Sequence, residues 1–194
     1  MEQVKEAIDK ETNTTVQMAL LVQWATAGRV GDTSQIKRRD ISLDMATGNL
    51  SVTIRRGKTV AVRGAWTVET RILNEDLRRT LHRYMQGMPP DRRVCYTETD
   101  SLDLASSAHT ARINKALKRV AGADPPLTTR SLRRGALQAM SLGAMTGTPV
   151  PNEVLMLYSG HTSVKSLLIY LFEGKFCGET MAPMRAAAEE LGIC

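Results

Sequence analysis

Between Leu50 and Val62 the apolar residues change their period, and that change narrows the folds open to this chain. Leu50, Val52 and Ile54 alternate with Ser51, Thr53 and Arg55, and after Arg56-Gly57 the alternation resumes at Val60 and Val62. Successive side chains of a strand point to opposite faces, so a period of two marks a half-buried strand. The pattern predicts a β-hairpin around Arg56-Gly57, with Lys58 beside its turn. Elsewhere the spacing is helical. Val16, Ala19, Leu20 and Trp24 form one stripe that stops near Gly28. Leu73, Leu77, Leu81 and Met85 form a second within Arg71 to Gln86, closed by Pro89-Pro90. Ile113, Ala116, Leu117 and Val120 mark a third, and Pro125-Pro126 separates it from the segment beginning at Thr128. Further helical patterns cover Ser131 to Met145, Asn152 to Tyr158, Ser163 to Leu171 and Pro183 to Leu191. The expected fold class is mainly α with a small antiparallel β-sheet near the N-terminal third.

A chain of 194 residues with 42% hydrophobic content can fill one core, so residues 1–194 are expected to form a single domain. Lys and Arg number 26 against 20 for Asp and Glu, a net charge of +6 that favours polyanionic partners, nucleic acid first. Cys95, Cys177 and Cys194 are widely spaced and lack the CxxC pairs of a zinc site or the even count of a disulfide framework. A reducing compartment suits them. No apolar run approaches the ~20 residues that span a bilayer, and the polar start from Met1 to Thr15 is unlike a secretory signal. A soluble, intracellular protein is expected, with no membrane partner.

The strongest chemical signal is Ser159-Gly160-His161, followed nine residues after the histidine by Tyr170. In one unbroken helix nine residues at ~100° each would set His161 and Tyr170 on opposite sides. They converge only across a break, which Gly160 supplies, with Thr162 or Ser163 as the N-cap of a new helix carrying Tyr170. Two more segments stand upstream. One is Thr26-Ala27-Gly28-Arg29-Val30-Gly31-Asp32, continuing through Ile36 to Ile41, and the other is Arg130-Ser131-Leu132-Arg133-Arg134-Gly135. Between them lies Lys58 in its hairpin.

In this combination and order the sequence resembles the catalytic domain of the tyrosine recombinase (phage-integrase-like) family, from about Thr14 to Leu171. The Ser-Leu-Arg-Arg-Gly wording is similar to recombinases of eukaryotic mobile elements, which would place the protein in a nucleus; otherwise the cytoplasm is expected. The resemblance implies a DNA strand-exchange enzyme that cuts and rejoins double-stranded DNA through a covalent 3′-phosphotyrosine bond. Tyr170 would be the nucleophile, Arg29 and Arg133 the phosphate clamp, and Lys58 the acid that protonates the departing 5′ oxygen. His161 would bind or position the phosphate, and Asp32 would orient a neighbouring Arg. Arg130 stands where the family usually has His, so acid–base work by that group would be missing or moved to Lys58.

These residue types suit the reaction. Attack on a phosphodiester adds charge to its non-bridging oxygens, so fixed cations aimed at the phosphate lower the barrier. A guanidinium gives two parallel hydrogen bonds to phosphate oxygens and stays charged. A free phenol titrates near about pH 10, so a tyrosine nucleophile needs cations beside it. The resemblance further implies assembly as a homo-oligomer, a tetramer on DNA, with the Pro183 to Leu191 helix docking on its own domain or on a neighbour. No cofactor or metal is expected, and the family's N-terminal DNA-clamping domain is not represented in these residues. Two alternatives remain: a type IB topoisomerase-like enzyme, which shares the Arg, Lys, His and Tyr chemistry but relaxes DNA, and a catalytically silent DNA-binding module with the same fold. The Gly-His to Tyr spacing favours the recombinase over the first.

Overall fold

The computed structural model describes residues 2–57, 60–96, 106–119, 127–143 and 148–172. The N-terminal half runs α1 (Glu2–Lys10), α2 (Thr14–Thr26), α3 (Val30–Thr33), β1 (Ile41–Leu43), β2 (Asn49–Ile54), α4 (Val60–Arg63), β3 (Trp66–Arg71) and α5 (Glu75–Met85). It is followed by α6 (Ser106–Leu117), α7 (Thr129–Ser141), α8 (Asn152–Ser159) and α9 (Val164–Phe172). The fold is mainly helical with one small antiparallel sheet, as the change of period predicts.

Helix α2 is the axis of the molecule. Met18, Leu20 and Val22 are fully buried, and so are the polar Gln23 and Thr26 near its end. A helix buried on nearly every side belongs inside a core, and α2 packs on α1, α3, α6, α7 and β3. Asn13 starts it by accepting the Val16 N–H at 3.2 Å. At its far end the buried Gln23 amide donates to the Thr129 carbonyl at 2.9 Å, tying α2 to the first turn of α7. The sequence stripe stopped near Gly28, but the left-handed cap is Ala27, at φ 47°. Gly28 is needed for a different reason: a side chain there would collide with Thr26 and Thr33.

The sheet runs β1-β2-β3, all antiparallel, with Ile41 opposite Val52 and Ile54 opposite Trp66. Leu50, Val52, Ile54 and Val68 are buried on one face, while Thr53 and Thr67 join hydroxyls at 3.0 Å on the other. The hairpin expectation is corrected in its second arm. Val60 and Val62 belong to the short helix α4, ended by Gly64 at φ 80°, and the strand paired with β2 is β3. Two valines two apart fit one helical turn as readily as a strand, and the longer β-rich run Trp66-Thr67-Val68 provides the better ladder. Because β3 extends to Arg71 and Asn74 caps α5, the helix starts four residues later than the stripe suggests, and Leu73 is 78% exposed.

Among the described residues, apolar side chains gather in two clusters. The larger joins α1, α2, the sheet, α5 and α6; Val4, Ala7 and Ile8 bring α1 into it. The smaller holds Ala27, Ala136, Leu137, Met140, Leu155, Leu167 and Leu171, where α7, α8 and α9 meet. Trp24 and Tyr158 pack against both. Among the described residues no helix is long and apolar enough to cross a membrane. Helices α8 and α9 match their expected limits to within one residue, while α7 begins at Thr129, two residues before its expected start, and ends at Ser141 with Leu142 as its cap, short of the expected Met145; Pro183 to Leu191 lies outside the described residues.

Candidate active site

The predicted break between α8 and α9 is present. Gly160 adopts φ 68°, and its N–H and that of His161 both donate to the Met156 carbonyl, closing α8. Ser163 then accepts the Ser166 N–H at 3.2 Å and opens α9. The chain turns between the two helices, and the rings of His161 and Tyr170 meet with centroids 5.1 Å apart.

Arg133 projects from α7 into the same place and is only 3% exposed. Its Nη1 donates to the Ala27 carbonyl, and its Nη2 donates to the Ser159 carbonyl at 3.0 Å and faces His161 Nε2 at 3.2 Å. The guanidinium carbon sits 5.1 Å from the centre of the Tyr170 ring. Its Nε–H has no acceptor among the described residues. The left-handed turn at Ala27 is the one positive φ found outside glycine among the described residues, and it lies at the carbonyl that Arg133 holds. Such a conformation costs roughly 1–2 kcal/mol for an L-residue and collects at functional sites.

The electrostatics tie in two more residues. Burial, then the neighbouring Arg29 charge, lowers the Arg133 pKa to about 10, while Tyr170 and Asp32 pull it the other way. The side chain stays cationic at neutral pH. Burial, then Arg133 and Arg29, pushes His161 down to about 3, so its ring is neutral. Arg29 is half-buried at the start of α3, and Asp32 is buried within that helix. Gly57, at φ 127°, comes so close to Asp32 that any side chain there would strike the carboxylate. The loop leaving β2 is thereby seated on the site.

The other tyrosines are committed elsewhere. Tyr84 donates to the Val94 carbonyl at 2.7 Å. Tyr158 donates to the Ala25 carbonyl, and burial pushes its pKa up to about 12. Tyr96 stacks on His109 with centroids 6.0 Å apart and lies beneath Arg93.

Neither a protein-family model nor a curated protein matches the sequence. Solved structures do match its fold. The XerA recombinase superposes with a TM-score of 0.63 at 19% identity, covering 97% of this chain and 62% of that one. The XerH site-specific recombinase bound to a palindromic difH substrate gives 0.65 at 16% identity, covering 96% and 50%. The Tn1549 transposon integrase in complex with transposon right end DNA gives 0.53 at 13% identity, covering 98% and 63%. The fold is that of a tyrosine recombinase catalytic domain. The chain spans between half and 63% of the length of these structures.

On the recombinase fold, five of the residues singled out in the sequence come together: Arg29, Asp32, Arg133, His161 and Tyr170. Arg130 sits one turn before Arg133 on α7 and is exposed, so the two arginines share a helix start but have different environments. Lys58 lies outside the described residues. Sequence reasoning missed three contributors. Ala27 and Ser159 act through carbonyls that no side-chain pattern reports. Gln138, on α7, donates to the Leu171 carbonyl at 3.1 Å and so braces the end of the helix that carries Tyr170. Among the described residues no cluster of His, Cys, Asp and Glu is arranged to hold a metal ion.

Proposed function

We propose that this chain is the catalytic domain of a site-specific DNA recombinase or integrase that cuts and rejoins DNA through Tyr170. The observation that carries the reading is the buried Arg133 guanidinium, 5.1 Å from the Tyr170 ring, with an Nε–H that no described residue accepts. A buried donor without an acceptor costs roughly 1–3 kcal/mol, and an incoming phosphate oxygen supplies the acceptor. The net charge of +6 favours the same ligand.

In this reading the Tyr170 hydroxyl gives up its proton to solvent as its oxygen attacks the scissile phosphorus, the phosphorus–5′-oxygen bond breaks, and a 3′-phosphotyrosine forms. Arg133 and Arg29 stabilise the charge that grows on the non-bridging oxygens. Lys58 donates the proton to the leaving 5′ oxygen, and Asp32 balances the paired arginines. Arg130, exposed on the first turn of α7, adds phosphate binding at a helix N-terminus without proton shuttling. The phosphotyrosine keeps the energy of the broken bond, so attack by a 5′-hydroxyl reverses the step without ATP. The proposed partners are duplex DNA and further copies of the chain, as a tetramer on DNA. XerH bound to its difH substrate and the Tn1549 integrase in complex with transposon end DNA support DNA as the ligand.

The test is incubation with nicked suicide duplexes that lose their 5′-hydroxyl fragment after cleavage, followed by a search for a protein–DNA adduct. A tyrosine-linked adduct is expected. Its absence, even when an N-terminal clamping domain is supplied, would favour the silent DNA-binding module, a reading that Arg130 in place of a histidine also supports.

A further inference from the structure

The Ser159 hydroxyl has no role in the proposed cleavage step, yet it makes short contacts to the Leu155 carbonyl and to His161. Its hydroxyl lies 2.6 Å from the Leu155 carbonyl and 2.5 Å from His161 Nδ1, and the residue is 3% exposed. A hydroxyl has one proton. Two oxygens at 2.6 Å without a proton between them would repel, so that proton belongs to the Leu155 contact. The hydroxyl must then accept from His161, and Nδ1 carries the hydrogen.

The other ring nitrogen gives the same answer independently. Arg133 Nη2 stands 3.2 Å from His161 Nε2, and a guanidinium only donates, so Nε2 must be bare. A hydrogen on Nε2 would point into a donor. A bare Nε2 instead takes one Nη2 hydrogen while the Ser159 carbonyl takes the other at 3.0 Å. With Nη1 held by the Ala27 carbonyl, the guanidinium is gripped at three points, and Nε–H is left facing no described acceptor.

We infer that Ser159 is a positioning residue, whose hydroxyl fixes His161 as the Nδ1–H tautomer so that its bare Nε2 orients Arg133. The inference rests on the proposed recombinase reading for its effect on cleavage, although the tautomer itself does not. Free histidine in water prefers the Nε2–H form, so the side chain at 159 selects the less common state.

The ring nitrogens of the three histidines can be read by 15N correlation spectra of the DNA-free protein, with His161→Gln removing the signal to be assigned. The expected wild-type result is a protonated Nδ1 and a bare Nε2. In Ser159→Ala, which keeps the backbone carbonyl, only Arg133 still favours a bare Nε2, so a population of the Nε2–H form should appear beside the Nδ1–H form. Cleavage of suicide DNA should fall roughly five- to tenfold, the size of one lost hydrogen bond, at unchanged DNA affinity. A wild-type Nε2–H ring overturns the inference, and this arm stands even if the variant does not fold. An unmoved tautomer in Ser159→Ala overturns the role of the hydroxyl, and unchanged cleavage with a moved tautomer overturns the positioning of Arg133. If the wild type forms no adduct while its ring is Nδ1–H, the recombinase reading and the cleavage role fail, but the assignment of Ser159 to the tautomer survives.

Discussion

Around α2 the interior is closed by aliphatic side chains, whereas the interior where α7, α8 and α9 meet encloses Arg133, Ser159 and His161. The difference lies in what the buried polar groups bond. In α2, the Gln23 amide N–H and the Thr26 hydroxyl donate to the backbone carbonyls of Thr129 and Val22 and serve to join or end helices, while Gln23 Oε1 has no partner among the described residues. In the C-terminal cluster Arg133, Ser159 and His161 also bond one another, and what is left over is the donor of a cation rather than a neutral amide oxygen. A buried polar atom left without a partner costs stability, and more so when it belongs to a charged group, unless a ligand completes it. On the proposed function the first region is a platform and the second the site, so substitutions in the two should separate stability from chemistry.

The largest expected separation is at Tyr170. Tyr170→Phe removes one oxygen from a half-buried ring, so thermal unfolding and DNA binding should be nearly unchanged while the covalent adduct disappears. A persisting adduct would break the assignment of the nucleophile. Arg133→Ala comes next. Cleavage should fall on the order of 10² or more as the charge opposite the transition state is lost, with DNA affinity reduced far less. The comparison can be sharpened with two buried leucines. Leu20→Ala in the large core and Leu137→Ala in the small cluster should each lower unfolding free energy by about 2–5 kcal/mol, measured by urea titration. Only Leu137→Ala should also slow cleavage, since Leu137 lies one turn beyond Arg133 on α7.

A smaller effect concerns pH. His161 is held neutral, with its pKa pushed from 6.5 down to about 3. Between those values the unfolded chain binds a proton at this residue and the native chain does not. Stability therefore rises with pH across that window and is lost as pH falls from about 6.5 toward 3. His161→Gln should flatten that part of the stability profile, and an unchanged slope would remove His161 from the buried network. The smallest effect is expected at the exposed Arg130. Arg130→His should leave stability unchanged and leave the cleavage rate unchanged or raised, which a single-turnover assay would read.

The elements that were legible in advance are those with a local cause. The break at Gly160 followed from the spacing of His161 and Tyr170 alone, and the structure forms it with a left-handed glycine and a serine cap. The α2 stripe and the sheet face of Leu50, Val52 and Ile54 were visible in the same way. The second arm of the hairpin was misplaced because the Val60-Ala61-Val62 pattern is too short to choose between a turn of helix and a strand; pairing with β2 chose Trp66–Arg71 instead. Helix α1 has no counterpart among the expected elements although Val4, Ala7 and Ile8 carry its spacing, since a stripe of three in a polar segment becomes a helix only by packing on α2 and α6.

By itself the sequence determined the helical class, the small sheet, the break before Tyr170 and the identity of the charged residues that converge on it. These depend on periodicity, caps and residue type, which act over one or two turns of chain. Only the tertiary structure decided that Arg133 is buried while Arg130 is exposed, that Tyr84, Tyr96 and Tyr158 are engaged elsewhere, and that Ser159 faces His161. Those outcomes depend on contacts such as Arg133 with Ala27, separated by 106 positions. A carbonyl's direction and a proton's place on a ring carry no signature in residue type, and they exist only once the helices that hold them are packed together.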